Sequence, residues 1–399
     1  MGELGVTRND CILFSTADWD EPYWTNKQHT ANLLGQYGWR VLYVESVGLR
    51  SPKLSSKRDW GRLKRRLLRG VRCLAFGAPM RANGVWVLSP LVIPAAHRSA
   101  WLNKLNRWLL QYSLRRFCAQ QKFSTPLVWT YHPYMLQAVD QLSYGALVYH
   151  CVDDLSAIPG IDAAAFDEAE IALLKKCDGA FVTNRTLMRK CSIHNGNTHY
   201  FPNVVEAEHF AQASNQSGLI PRCIQQIAKP RLVYHGVLSD FKIDLGLLLS
   251  VAKLQPAWQF VLIGQEREGQ RDERLAALRS LPNVHLQGYV PYAQLPDYLR
   301  GMDVGMLPTL RNDYTKGMFP MKYYEYLAAG LPVVSTHLCA FDQSHPFIAF
   351  GDTPLEFIEA VQGQLRRGRL SEEEVACAVG ENTWTRRMEK MLAIVGWSL

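Results

Sequence analysis

The chain has 399 residues, of which 48% are hydrophobic and 20% charged, with a formal net charge of +8. That length exceeds one ordinary domain and suits two of about 200 residues each, with apolar material for two cores, so a disordered or fibrous chain is excluded. No run approaches the ~18 apolar residues of a spanning helix, and the start of the chain has no signal pattern, so a cytoplasmic protein is expected. The nine cysteines show no C-x-x-C and no paired Cys/His spacing, which argues against zinc and against a disulfide scaffold.

Cys11 to Thr16 reads as an apolar strand, Asn26 to Tyr37 as a helix and Arg40 to Glu45 as a second strand, with Gly38 at the turn. This opening fits a parallel α/β domain, whose ligands gather at the carboxyl ends of the strands. The turn from Ala17 to Thr25 contains no glycine, so a Gly-x-Gly-x-x-Gly dinucleotide loop is absent and an NAD or FAD enzyme is disfavoured. Its aromatic residues suit stacking on a sugar ring, with Trp19, Trp24 and His29 as candidates, or they cap the domain core. Asp18-Trp19-Asp20 matches a short metal-binding pattern, but two carboxylates alone do not make a hard-metal site. No metal or other cofactor is expected.

The positive charge is concentrated. Arg50 to Arg72 holds ten Lys or Arg residues and one acid, Asp59, interleaved with Trp60, Leu63, Leu67 and Leu68. Arg98 to Lys122 holds six basic residues and no acid, with Trp101, Leu102, Leu105, Trp108 and Leu109. Basic and apolar residues interleaved with tryptophan suit a helix lying in an anionic membrane surface. Nucleic acid is the other polyanion to consider, and no nucleic-acid fold motif is present. The plain alternative is a solvated loop followed by a helix packed on its own domain.

Further strands are expected at Val85 to Leu91, Leu127 to Tyr131 and Ala146 to Cys151. The last runs into Val152-Asp153-Asp154-Leu155-Ser156, two adjacent acids where α/β enzymes place catalytic groups. A carboxylate partly desolvated beside another can have its pKa raised toward that of a general base. The other reading is a helix cap. Asp153 is taken as the base and Asp154 as the cap. Ala163 to Lys176 follows as a helix, with strands at Gly179 to Thr183 and Thr198 to Val205. The polar stretch 211–229 reads as a linker region between a first domain, 1–210, and a second, 230–380.

The second domain opens on a strand, Arg231 to Tyr234, then His235-Gly236 and Lys242 at the start of the next helix. Gly236 permits a ligand to approach the backbone. Strands follow at Trp258 to Gly264, leading into Gln265-Glu266-Arg267, then at Asn283 to Gly288 and Val304 to Pro308. Arg311 to Lys316 reads as a polar, flexible loop. Pro320 to Ala329 reads as a helix with Met321, Tyr324, Leu327 and Ala328 on one face and Gly330 as its stop, ahead of a buried strand from Leu331 to Thr336. Lys322 falls in the first turn, where a cation is unfavourable unless an anion lies beside it. Glu325 shares its face, so the two serve one ligand or form an ordinary solvated pair. Phe347 to Phe350 and helices over 354–370, 371–379 and 383–395 complete the chain. The segment 381–399, with Trp384 and Trp397, is expected to pack back on the first domain.

The run Pro320-Met321-Lys322, Glu325 and Gly330-Leu331-Pro332-Val333-Val334 resembles the donor-nucleotide helix of glycosyltransferases of the GT-B fold, α/β proteins with two Rossmann-like domains facing across a cleft. Glu325 matches the second of two glutamates spaced eight apart in the large retaining family; the first would fall at Gly317 and is absent. Met321-Lys322, together with Val148-Tyr149, Asp153, Leu155 and Ser156, also resembles the bacterial xanthan glucuronosyltransferase family, whose base matches Asp153 and whose lysine meets the nucleotide phosphates. Pro202-Asn203-Val204-Val205-Glu206 is similar to the crossover of this fold. The resemblance implies a donor-nucleotide site of Gly236, Lys242, Lys316, Met321, Lys322 and Glu325, with the base read near Tyr289 and Val290; Trp19, Trp24 and His29 stay the candidates for a sugar acceptor on their residue types alone. It implies metal-independent transfer of a sugar from a nucleotide donor, UDP-linked, to a lipid-linked acceptor hydroxyl in bacterial polysaccharide synthesis, peripheral to the inner face of the membrane. Base catalysis by Asp153 implies inversion. A nucleotide-sugar 2-epimerase of the same fold and a non-catalytic partner in a polysaccharide assembly complex are the alternatives.

Overall fold

The computed structural model describes residues 9–46, 57–91, 100–158, 160–215, 217–266, 272–341 and 346–399. Of the expected features, residues 50–56, the side chains of 57–63, residues 98–99 and Arg267 lie outside the described residues. The chain divides into two compact units: Met1–Thr183 with Leu187–Phe201 and Met388–Leu399, and Asn184–Thr186 with Pro202–Arg387.

The first unit is built on β1 (Asp10–Phe14), β2 (Arg40–Val44), β3 (Met80–Ala82), β4 (Val85–Leu88), β5 (Leu127–Thr130), β6 (Ala146–Cys151), β7 (Gly179–Val182) and β8 (Thr198–Tyr200). Their order is β3-β4-β2-β1-β5-β6-β7-β8. All neighbours are parallel except β3 and β4, which turn back through Asn83 and Gly84, the glycine at φ +70°. The central strands are unbroken apolar runs because helices cover both faces of a parallel sheet and no position faces water. Ile12, Phe14, Leu42, Val128, Leu147 and Tyr149 share one core. The helix Trp384–Ile394 runs through the boundary at Met388, beyond which the chain belongs to the first unit. There the Trp397 ring lies 5.5 Å from that of Trp39. A Cβ on Gly145 would come within 2.9 Å of the Trp397 ring.

The second unit holds β9 (Arg231–His235), β10 (Gln259–Ile263), β11 (Val284–Gly288), β12 (Val304–Leu307), β13 (Val333–Ser335) and β14 (Ile348–Phe350), in the order β11-β10-β9-β12-β13-β14 and parallel throughout. The polar stretch 211–229 is packed within this unit: Ala213 and Ile224 are fully buried. Its irregular backbone is satisfied by arginines. Arg300 donates to the carbonyls of Gln212 and Asn215, both at 2.7 Å, and Arg231 donates to that of Ile227 at 2.8 Å. Buried carbonyls outside regular structure need such donors, and composition alone does not reveal them.

Candidate functional site

In the second unit, three turns meet at two glycines. β9 ends at His235 and passes into Gly236, at φ +116°; β10 passes into Gly264, at φ +143°. A Cβ on Gly264 would lie 1.9 Å from the Gly236 carbonyl oxygen, and one on Gly236 would lie 2.5 Å from Lys322 Cε and 2.8 Å from Nζ. Only glycine combines these conformations with such close approach. The helix Lys322–Ala328 begins two residues later than its sequence suggests and is followed by Gly330 at φ +74°.

Lys322 is half-buried, its ammonium 5.5 Å from the centre of the Tyr234 ring. Burial lowers its pKa, against the opposing pull of Glu325. Glu325 is itself 8% exposed, and its Oε2 lies 3.1 Å from His235 Nε2. The His235 backbone N–H donates to Tyr326 Oη at 3.0 Å, and its ring meets the Tyr326 ring edge-on. Lys322, Gly236 and Glu325 therefore converge as the sequence implies. His235 was missed; its partner Glu325 lies 90 residues away in sequence, and only its place between a strand and Gly236 marked it.

The other expected donor residues divide. The Gly264 N–H donates to the Gly288 carbonyl at 2.7 Å, which ties the end of β11 to this turn. Tyr289 follows, 37% exposed, while Val290 is buried in the core with Ile263 and Leu307. Met321 is half-buried. Lys242 does not open a helix: it closes a turn on the Ser239 carbonyl, and the helix Leu245–Leu254 is capped by Asp244, whose side chain accepts from the Leu247 N–H at 2.8 Å. The Lys242 ammonium lies 4.8 Å from the centre of the Tyr314 ring. Residues 311–316 are not an open loop. Asn312 caps a helical turn, Asp313–Lys316, and its side chain donates to the Phe241 carbonyl at 2.7 Å. Lys316 is exposed and ion-pairs with Asp313 at 2.9 Å.

In the first unit, Asp153 is half-buried in the bend after β6. The Cys151 thiol donates to its carbonyl at 3.7 Å. Asp154 occupies the cap position of the 3₁₀ turn Leu155–Ala157, and its Oδ1 accepts from Ser156 Oγ at 2.7 Å and from Lys190 Nζ at 3.2 Å. Trp19 is 7% exposed; its backbone N–H donates to Glu45 Oε1 at 2.8 Å and its ring packs on Tyr43 and Trp24. Trp24 in turn meets the buried His29, ring centres 5.5 Å apart. The three candidates thus form one row, with Trp24 its half-buried member. Asp18 ion-pairs with Arg66 at 3.2 Å and Asp20 with Arg81 at 2.8 Å. Sequence reasoning also passed over His132, 1% exposed after β5, whose pKa is pushed down to about 4 by burial and by the charge of Lys27.

Comparison with known proteins agrees with this architecture. Residues 229–366 match the family described as Glycosyl transferases group 1. The chain is 26% identical over 246 residues to the putative teichuronic acid biosynthesis glycosyltransferase TuaH of Bacillus subtilis (strain 168), a match that spans 55% of this chain and 58% of that one. Sucrose-phosphate synthase from Thermosynechococcus elongatus superimposes with a TM-score of 0.66 at 13% identity, over 96% of this chain and 97% of that one. Anabaena Alr3699/HepE in complex with UDP-glucose does so at 0.64 and 12% identity, over 96% and 99%. The chain has the GT-B fold, and residues 229–366, which lie within its second unit, are similar to the Glycosyl transferases group 1 family.

Proposed function

We propose that this protein is a glycosyltransferase that moves a sugar from a UDP-linked donor to an acceptor hydroxyl during assembly of a cell-surface polysaccharide. The observation that carries the reading is Lys322: a desolvated ammonium laid against Gly236, beside the Glu325 carboxylate, which lies 3.1 Å from His235 Nε2. A diphosphate reaching the Gly236 backbone meets that ammonium, and Glu325 is placed to accept from ribose hydroxyls. Tyr289 and Val290 offer backbone groups to the base, and Lys242 and Lys316 add positive charge. The name of the TuaH relative and the UDP-sugar complexes of HepE support the polysaccharide and the donor class.

In the reaction, Asp153 takes the proton of the acceptor hydroxyl as that oxygen bonds to the anomeric carbon. The bond from that carbon to the diphosphate breaks, and the departing charge is met by Lys322 and Lys242 without a metal. A single displacement of this kind inverts configuration. Trp24 and His29, backed by Trp19, form the wall offered to the acceptor.

The acceptor is lipid-linked in this reading. The helix Lys57–Phe76 exposes Leu67, Leu68, Val71 and Phe76 beside Lys64, Arg65 and Arg72. The helix Ala100–Gln121 exposes Trp101, Trp108 and Tyr112 beside Lys104, Arg107 and Arg115, and its Arg116 donates to the Leu74 carbonyl at 2.6 Å. Apolar side chains ringed by cations suit the interface of an anionic membrane. Among the described residues no helix is long and apolar enough to cross one.

UDP release measured over a panel of nucleotide sugars, with and without a lipid-linked acceptor, tests the proposal. Acceptor-dependent release supports it. Release of a free sugar without acceptor would make the protein an epimerase, and donor binding without release would make it a silent partner.

A further inference from the structure

Beneath the bend that carries Asp153 lies a polar cluster built from three elements of the first unit. Glu170, on the helix Ala163–Leu174, is 3% exposed; its Oε1 accepts from Tyr149 Oη of β6 at 2.5 Å. Its Oε2 lies 2.9 Å from the ammonium of Lys190, on the helix Arg185–Ser192. The same ammonium reaches Asp167 Oδ1 at 3.0 Å, Asp154 Oδ1 at 3.2 Å and Ser156 Oγ at 3.5 Å. Burial opposes the charge on Lys190, but Glu170, Asp154 and Asp167 outweigh it and raise its pKa.

A buried carboxylate with its cation is a poor way to hold two helices to a sheet, since apolar side chains of like volume do so at no desolvation cost. What the cluster adds is geometry. The Val152 carbonyl accepts from Thr183 Oγ1 at 2.8 Å, the Asp153 carbonyl from the Cys151 thiol at 3.7 Å, and the Asp154 side chain from Lys190 and Ser156. Each residue of the bend is anchored, and the charged anchor is Lys190, itself fixed by Glu170 at the sheet. We propose that Lys190 is a positioning residue: by holding Asp154 against Glu170 and Asp167 it fixes the bend, and so the place of the Asp153 carboxylate relative to the acceptor hydroxyl. This rests on Asp153 being the base.

Steady-state kinetics on the full chain test it. In Asp154→Ala the Lys190–Glu170 pair survives, so the fold is kept; kcat is expected to fall about 10-fold or more while the donor KM stays within about twofold, because misplacement of a base costs the chemical step rather than donor binding. Lys190→Met is expected to lose at least as much, and Lys190→Arg to recover most of it, since a guanidinium also bridges several carboxylates. Parent-like kcat in Asp154→Ala and Lys190→Met overturns the proposal, as does a Lys190→Arg no better than Lys190→Met. Should Lys190→Met fail to fold, Asp154→Ala decides alone: the kcat loss with an unchanged donor KM supports the proposal and parent-like kcat overturns it. Asp153→Asn separates the two layers: parent-like turnover there removes the base assignment, whereas an inactive Asp153→Asn with a parent-like Asp154→Ala removes only the role of Lys190.

Discussion

The Lys322 ammonium carries its charge at the positive end of a helix while half withdrawn from water, an arrangement an anionic ligand would relieve. Its lowered pKa sets the sign of two effects. Below that pKa the lysine is charged in both folded and unfolded chains, and the full burial penalty weighs on the fold. As pH rises from there toward the unfolded value near ~10.4, the unfolded chain holds more protons and the penalty fades. A diphosphate restores the proton, so UDP affinity should fall as pH rises through the pKa of the free protein. Calorimetric titration from neutral to alkaline pH should show this limb, and Lys322→Met should weaken UDP binding about 10- to 100-fold at neutral pH while flattening it. Gly236→Ala should also cost nucleotide affinity, since its methyl group meets a movable lysine chain; Gly264→Ala meets a backbone carbonyl and should prevent folding, as read by thermal unfolding. Lys322 and Glu325 were legible because their spacing on one helix is a local property. His235 and Lys190 were not, because what defines them is a partner from another element.

At the scale of elements, the caps make the most direct claims. Asp244→Ala removes the acceptor for the Leu247 N–H at the start of the helix Leu245–Leu254, and chemical denaturation should show a loss of about 1 kcal/mol. The exposed faces of Lys57–Phe76 and Ala100–Gln121 predict binding to phosphatidylglycerol vesicles that weakens with salt and drops when Lys64, Arg65 and Arg72 are changed to glutamine; unchanged co-sedimentation would remove the membrane from the account. Arg66 and Arg69 make poor choices for that test. Arg66 is paired with Asp18, and Arg69 lies 3.6 Å from both Asp20 and Glu45, so their charge is spent inside the unit. Strands such as β1, β2 and β6 were legible from unbroken apolar runs. The short helices Arg185–Ser192, Glu273–Arg279 and Leu295–Arg300 were not: with so few turns, little periodicity accumulates, and their packing rather than their propensity holds them.

At the scale of the molecule, two largely parallel sheets follow from length and from two separate sets of buried strands, which is why the architecture was the most legible property of all. The boundary at Met388 has no such mark, since it falls within the continuous helix Trp384–Ile394. Met388, Met391 and Leu392 are fully buried, and Val395 lies against Gly179. Truncation after Arg387 should therefore lower the unfolding temperature of the first unit, followed by the fluorescence of Trp39 and Trp129, while UDP still binds the second; coincident loss of both would contradict this.

That return of the chain has a bearing on biosynthesis. Every residue from Pro202 to Arg387 emerges before the stretch that completes the sheet-bearing body begun near Asp10. On the ribosome, the later-encoded body can close upon itself first, leaving the earlier one with an open seam beside Trp39 and Gly145 until Trp397 arrives to cover it. A nascent chain caught in that interval would expose the apolar surface that chaperones bind.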